Sequence, residues 1–337
     1  MKKLISLICV LAMVLALAAC GSSAPAATEA PAASTEAPAE DVSADQTFVV
    51  GICQLVQHPA LDAATQGFKD ALTEALGDKV TFQEQNASGD SATCSLICNQ
   101  FVSDEVDLIM ANATASIQAA ASATNTIPIL GTSITDYGVA LGVDNWTGVS
   151  GTNISGTSDL APLDGQAAMI QELFPDAKSI GLLYCSGEPN SIFQADSMEA
   201  LLTDMGYSVE RYTFADSNDV SSVTANACSN ADVLYIPTDN TAASCTEAIN
   251  NVALSAGIPI VAGEEGLASG CGVATLSISY YDLGRATGEM AAEILTEGAD
   301  ISTMEVRFAP AFTKEYNADI CEALNITVPD DYVAIAK

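Results

Sequence analysis

In the stretch VVGICQLVQHPALDAATQGF, residues 49–68, the chain's single histidine, His58, stands between a strand pattern and a helix pattern. Beside a serine and a carboxylate it could act as a general base; alone it contacts a ligand or lines a cleft wall. The chain has no His-Glu-x-x-His, no Walker phosphate loop, no Gly-x-Ser-x-Gly elbow and no Gly-x-Gly-x-x-Gly fingerprint. Glu264 and Glu265 raise the paired carboxylates of glycoside hydrolysis. Adjacent side chains after a strand point apart, however, so one contact, assigned to Glu265, and one solvated charge are expected. The ten cysteines include no Cys-x-x-Cys pair and none has a histidine nearby in sequence, which argues against zinc. The expectation is therefore a binding protein and not an enzyme, with no catalytic residue, no cofactor and no metal.

The elements that would position these groups alternate. Short Val/Ile/Leu-rich strands are predicted at 48–53, 80–85, 107–111 and 127–131, with helical patterns between them. Leu61, Ala64, Phe68, Leu72 and Ala75 recur at three- and four-residue spacing and make one buried helix face. Pro59 sits in the first helical turn, where its missing donor costs nothing. The pattern of residues 106–131 returns at 231–263: acidic residue, apolar strand, Thr-containing turn, Ala-rich helix, Ile-Pro strand, glycine. That internal match predicts an α/β protein of two similar lobes, each a parallel sheet flanked by helices, joined by a hinge of crossing strands. Crossings are expected at 148–160, at 277–281 and from Val306 onward. The resulting lobes are 46–155 with about 280–305, and 156–279 with about 306–337.

Ligands of open parallel sheets sit beyond the carboxyl ends of the strands. Two facing lobes would make a cleft lined by residues 54–58, 112–116, 132–137, 186–191, 238–240 and 264–265. These are mostly hydroxyls, amides and carboxylates at helix starts. Candidate contacts are Gln54, Gln57, Thr114, Ser116, Ser133, Glu188, Asn190, Asp239, Asn240 and Glu265. A free amino acid needs an anion subsite, assigned to the helix start at Thr114 and Ser116, and a cation subsite, assigned to Asp239. Plain helix capping is the competing role for Thr114 and Asp239. Beyond the leader the arginines are Arg211, Arg285 and Arg307, none at a strand end. Trp146, Tyr137, Tyr184 and Phe193 are candidates for an apolar subsite.

The 337-residue chain carries 43 acidic against 10 basic residues, a net charge of −33. That field repels phosphate backbones, so nucleic acid is not an expected partner. Lys2 and Lys3 followed by an apolar run and Leu17-Ala18-Ala19-Cys20 read as an export leader, residues 1–20, ending in a lipobox that acylates Cys20. Residues 21–45, rich in Ala, Pro and Glu, cannot build a core and read as a disordered tether.

The segment GICQLVQHPALDAATQGFKDAL resembles the opening of the substrate-binding lipoproteins of ABC transporters assigned to tryptophan and tyrosine uptake. The likeness continues through FVSDEVDLI, TDYGVALGV, residues 157–160 with Asp159, PTDN, YYDLG and TGEMAAEIL. It implies a type I periplasmic-binding fold, and it adds Asp159 to the candidate contacts. It also implies a lipid-anchored, extracytoplasmic monomer that captures an aromatic amino acid (Trp, Tyr or Phe) for an ABC permease and its ATPase. The alternative is a same-fold binder of a branched-chain amino acid, nucleoside or sugar, for transport or sensing. Gln57 stands where the family has Glu, Tyr137 where it has proline, Pro189 is inserted, and Glu264-Glu265-Gly266 replaces an Asp/Ser-rich turn.

Overall fold

The computed structural model describes residues 46–309 and 311–336; the leader, Cys20 and the tether lie outside them. The first sheet is built from β1 (Phe48–Gln54), β2 (Val80–Asn86), β3 (Leu108–Asn112), β4 (Ile129–Ile134) and β5 (Ile154–Ser158). Between these strands run α1 (Pro59–Leu76), α2 (Ser91–Ser103), α3 (Thr114–Ala123) and α4 (Tyr137–Leu141). The second lobe follows with α5 (Leu163–Leu173), β6 (Ser179–Cys185), α6 (Pro189–Asp204), β7 (Ser208–Phe214), α7 (Val220–Cys228) and β8 (Val233–Ile236). It continues through α8 (Asn240–Ala243), α9 (Thr246–Ala256), β9 (Ile260–Ala262), α10 (Glu265–Gly270) and β10 (Ala274–Ser277). Then come α11 (Tyr280–Glu297), β11 (Arg307–Phe308), β12 (Thr313–Tyr316), α12 (Ala318–Leu324) and β13 (Val333–Ala334).

The sheets run β11-β5-β4-β3-β1-β2 and β13-β12-β10-β9-β8-β6-β7. Each contains the same parallel order, β2-β1-β3-β4-β5 in one and β7-β6-β8-β9-β10 in the other, which is the internal repeat of the sequence in structural form. Only β12 runs antiparallel to its neighbour β10. Both sheets are covered on two faces. Ile52, Met110 and Leu130 pack under α1 and α11, whereas Cys53, Ile109 and Ala111 pack under α2 and α3. Such two-sided burial explains why these strands read as unbroken apolar runs.

The chain passes between sheets after β5, after β10 and after β11. Two expected boundaries shift. Gly156, Thr157 and Ser158 pair within the first sheet, and so do Arg307 and Phe308, through Thr157 and Ser158. Lobe membership follows strand pairing, which composition does not encode. Among the described residues no helix is long and apolar enough to cross a membrane. The eight described cysteines are free thiols, most of them buried.

Helix α11 returns to the first lobe and lies backbone to backbone on α1. A β-carbon on Gly284 would stand 2.0 Å from the Ala64 carbonyl oxygen, and one on Gly67 2.0 Å from that of Tyr281. Gly284→Val therefore forces the helices apart. It is expected to lower stability by about 3 kcal/mol or more, since even ordinary overpacking costs about 1–3, read as a reduced urea midpoint.

Candidate functional site

Between the sheet ends lies a closely walled cavity with room for about one water molecule. The first lobe and its crossings contribute His58, Leu61, Ser133, Thr135, Asp159 and Tyr280; the second contributes Asn190, Thr238, Asp239, Asn240, Ala243 and Glu264.

Ser133 owes its position to a break in β4. The register with β5 shifts between Gly131 and Ile134, and Ser133 takes φ 55°, a strained conformation for a residue with a β-carbon. The Tyr137 hydroxyl lies 3.1 Å from the Gly131 carbonyl and 3.2 Å from that of Thr157, holding the bulge from beneath. Gly156 is required beside it, because a β-carbon there would fall 2.0 Å from the Gly131 oxygen. Tyr137, stacked on Trp146 at 5.7 Å, is thus packing, not an apolar subsite. Neither Tyr184, in the core of the second lobe, nor Phe193 lines the cavity.

The carboxylates of the wall differ in their partners. Asp239 caps α8, accepting from the N–H of Ala242 at 2.8 Å and of Cys185 at 2.7 Å. Both oxygens are engaged, which is the capping role and not an unpaired cation site. Glu264 caps α10, accepting from the N–H of Gly266 and of Leu267, each at 2.6 Å. Burial nevertheless raises it to about 7, and burial with the Glu188 charge raises Asp239. Asp159 is different. Its Oδ2 accepts from the Tyr280 hydroxyl at 2.8 Å, but its Oδ1, fully buried, has no hydrogen-bond partner among the described residues. Burial raises its proton affinity, partly offset by that hydroxyl and by the neighbouring Thr135 hydroxyl.

A relay fixes the imidazole. Glu188 accepts from Asn240 Nδ2 at 2.8 Å and from the backbone and hydroxyl of Thr241, which orients the Asn240 amide. Asn240 Oδ1 then faces His58 Nε2 across the lobes at 3.3 Å. An oxygen acceptor there puts the ring proton on Nε2. His58 Nδ1 is left as a buried acceptor without a partner, and burial keeps the ring neutral. Ser133 Oγ is likewise unpartnered. A second direct bridge joins Thr135 and Thr238 hydroxyls at 3.3 Å.

Of the candidate contacts named from the sequence, Ser133, Asp159, Asn190, Asp239 and Asn240 meet at this cavity, beside His58 and Glu264. The others do not line it. Gln54 is consumed by Thr65, Asp62 and Val56, tying β1 to α1. Gln57 is exposed on a separate surface groove. Ser116 points between the Cys53 and Cys94 thiols, 3.6 Å from each, and Thr114 is buried at the start of α3. Glu188 stands behind Asn240 as its support. Glu265 faces an outer groove beside Pro59, so the wall carboxylate of the pair is Glu264. Leu61, Thr135, Thr238 and Tyr280 were not singled out as contacts, although the set of strand-end residues already contained Thr135 and Thr238. Among the described residues, no group of three or more His, Cys, Asp or Glu could hold a metal ion.

The profile of the ABC transporter substrate binding protein family matches residues 49–337. The chain is 38% identical over 280 residues to a tyrosine-binding protein of Clostridioides difficile, covering 82% of this chain and 81% of the relative. A Streptococcus pneumoniae ABC domain solved with L-Trp is 31% identical, with a TM-score of 0.80 over 85% of this chain and 97% of the other. A ligand-free, open substrate-binding protein of Clostridium difficile is 36% identical over 86% of this chain and 100% of the other, yet scores 0.66.

A carboxyl that holds its proton more tightly folded than unfolded stabilises the fold at low pH and loses that contribution as pH rises through its folded value. Asp159, Asp239 and Glu264 all act in this sense, as do buried thiols such as Cys271. His58, kept neutral, acts oppositely, but only as pH falls below about 6.5. From pH 6.5 to 8.5 stability is therefore expected to drop, by about 1 kcal/mol from Glu264 alone. Urea midpoints at the two pH values measure it, and Glu264→Gln should flatten the slope; a midpoint that rises with pH contradicts the assignment.

Proposed function

Because the chain belongs to the ABC transporter substrate binding protein family, we propose that it captures one aromatic amino acid in the interlobe cavity and hands it to an ABC permease with its ATPase. Tyrosine and tryptophan are the ligands that the names of its relatives carry. The family works outside the cytoplasm, and acylation of Cys20 would anchor the chain to the membrane as a monomer on its tether. Its task is binding without chemical change.

One observation carries the ligand reading: Asp159 lines the cavity, and its buried Oδ1 has no hydrogen-bond partner among the described residues. A buried charge needs a counter-charge. The α-ammonium of an amino acid supplies it together with N–H donors. Ser133, Thr135 and backbone N–H groups would hold the α-carboxylate, while Leu61 and Ala243 offer apolar surface to the ring. Asn190 and Asn240 frame the second lobe's side of the ligand.

Calorimetry with Tyr, Trp and Phe against leucine, a nucleoside and glucose tests this. Binding in the micromolar range, about 8 kcal/mol, is expected for the aromatic set alone. Asp159→Asn should weaken it by about a hundredfold or more, because an ammonium would lose its counter-charge. For the unaltered chain, affinity should fall as pH is lowered from 8 to 5, since Asp159 then keeps its proton. Tight binding of the sugar or nucleoside with silence from the aromatic set would end the proposal.

A further inference from the structure

The cavity is asymmetric in what it offers to charge. Three buried side-chain atoms of its wall have no partner among the described residues: Asp159 Oδ1 and His58 Nδ1, acceptors that call for donors, and the Ser133 hydroxyl, which can donate or accept. Its wall carries three carboxyl groups, on Asp159, Asp239 and Glu264, and no lysine or arginine among the described residues. The arginines are engaged on the outside: Arg211 with Asp196 and Glu199, Arg285 with Glu74, Arg307 with Glu293. The one basic side chain present, His58, is held neutral by burial.

An anionic group of a ligand would therefore meet neutral donors such as Ser133 and Thr135 and no cation, beside carboxyl groups that repel it to the extent that they ionise. An ammonium would meet a carboxylate and an imidazole lone pair. In a low-dielectric cavity that difference is large. Removing a ligand's carboxylate gives up neutral hydrogen bonds and also removes repulsion, so the two effects oppose. Removing its ammonium leaves Asp159 buried with no counter-charge, and both effects weaken binding.

We propose that aromatic monoamines, the decarboxylated counterparts of the aromatic amino acids, are a second class of ligand for this cavity. The inference rests on the aromatic amino acid reading above and extends it: the ammonium is the obligatory part of the ligand and the carboxylate is dispensable.

The test is a three-ligand series on the full, unaltered chain: L-tyrosine, tyramine and 3-(4-hydroxyphenyl)propanoate, each titrated by calorimetry at pH 7.5. Tyramine is expected to bind within about tenfold of tyrosine, and the propanoate to lose about a hundredfold or more. Tyrosine binding with no detectable tyramine binding overturns the inference and leaves the amino acid reading intact. Equal binding of the propanoate and tyrosine also overturns it, since the ammonium would then be dispensable. If none of the three binds, and tryptophan and tryptamine are also silent, both readings fall together.

Discussion

A carboxylate removed from water is tolerated only where something supplies the stabilisation that water gave it, and Asp159 meets that condition halfway. One oxygen has the Tyr280 hydroxyl; the other is buried with no hydrogen-bond partner among the described residues. Much of the surrounding architecture fixes this arrangement. Asp159 follows the last residue of β5, where the chain leaves the first sheet, and Tyr280 opens the helix that brings it back. That helix reaches its place because Gly67 and Gly284 let α11 lie directly on α1. The close helix contact, remote from the cavity floor, thus sets the position of the hydroxyl that shares the burial of Asp159.

The remaining buried acids are treated differently. Asp239 accepts from one backbone N–H at the start of α8 and one at the end of β6, and Glu264 from two at the start of α10, so their charge, when present, is spread into the peptide framework. Glu188 is engaged by Asn240 and Thr241. Every one of these contacts is local and needs no ligand. Asp159 alone among the carboxylates of the wall keeps an oxygen unassigned, and this separates it from the groups that hold the wall in shape.

The fold was largely legible in the chain itself. Alternating strands and helices and the recurrence of 106–131 at 231–263 called for two lobes of one topology, and both sheets have the same five-strand order. The site was legible only in part. Residues at strand ends could be collected from the pattern, but whether such a side chain faces the opposite lobe depends on the pleat and on the first turn after it. Ser133 faces inward because of a bulge, a local irregularity without a composition signal. Gln54 and Ser116 have the right chemistry and turn into their own lobe, where Thr65 and the thiols of Cys53 and Cys94 engage them. Glu264 and not Glu265 reaches the wall because the cap position, not the helix's first residue, points back toward the cavity. Tyr280 comes from a crossing segment 121 residues away from Asp159 in sequence, a separation that no local pattern can bridge.

Closure itself follows from the imbalance between what the lobes offer each other and what a ligand offers both. The direct polar bridges, His58 to Asn240 and Thr135 to Thr238, are neutral and long, 3.3 Å each. Such bonds contribute about 1 kcal/mol apiece at most. Moving a two-lobe equilibrium from mostly open to mostly closed takes about 5.5 kcal/mol of differential binding. A ligand held between Asp159 on one side and the Asn190 and Asn240 region on the other can provide that only when both walls are in reach. For the proposed role the weakness of the bridges matters: were they strong, the lobes would shut without a ligand, and a loaded protein would not differ in shape from an unloaded one.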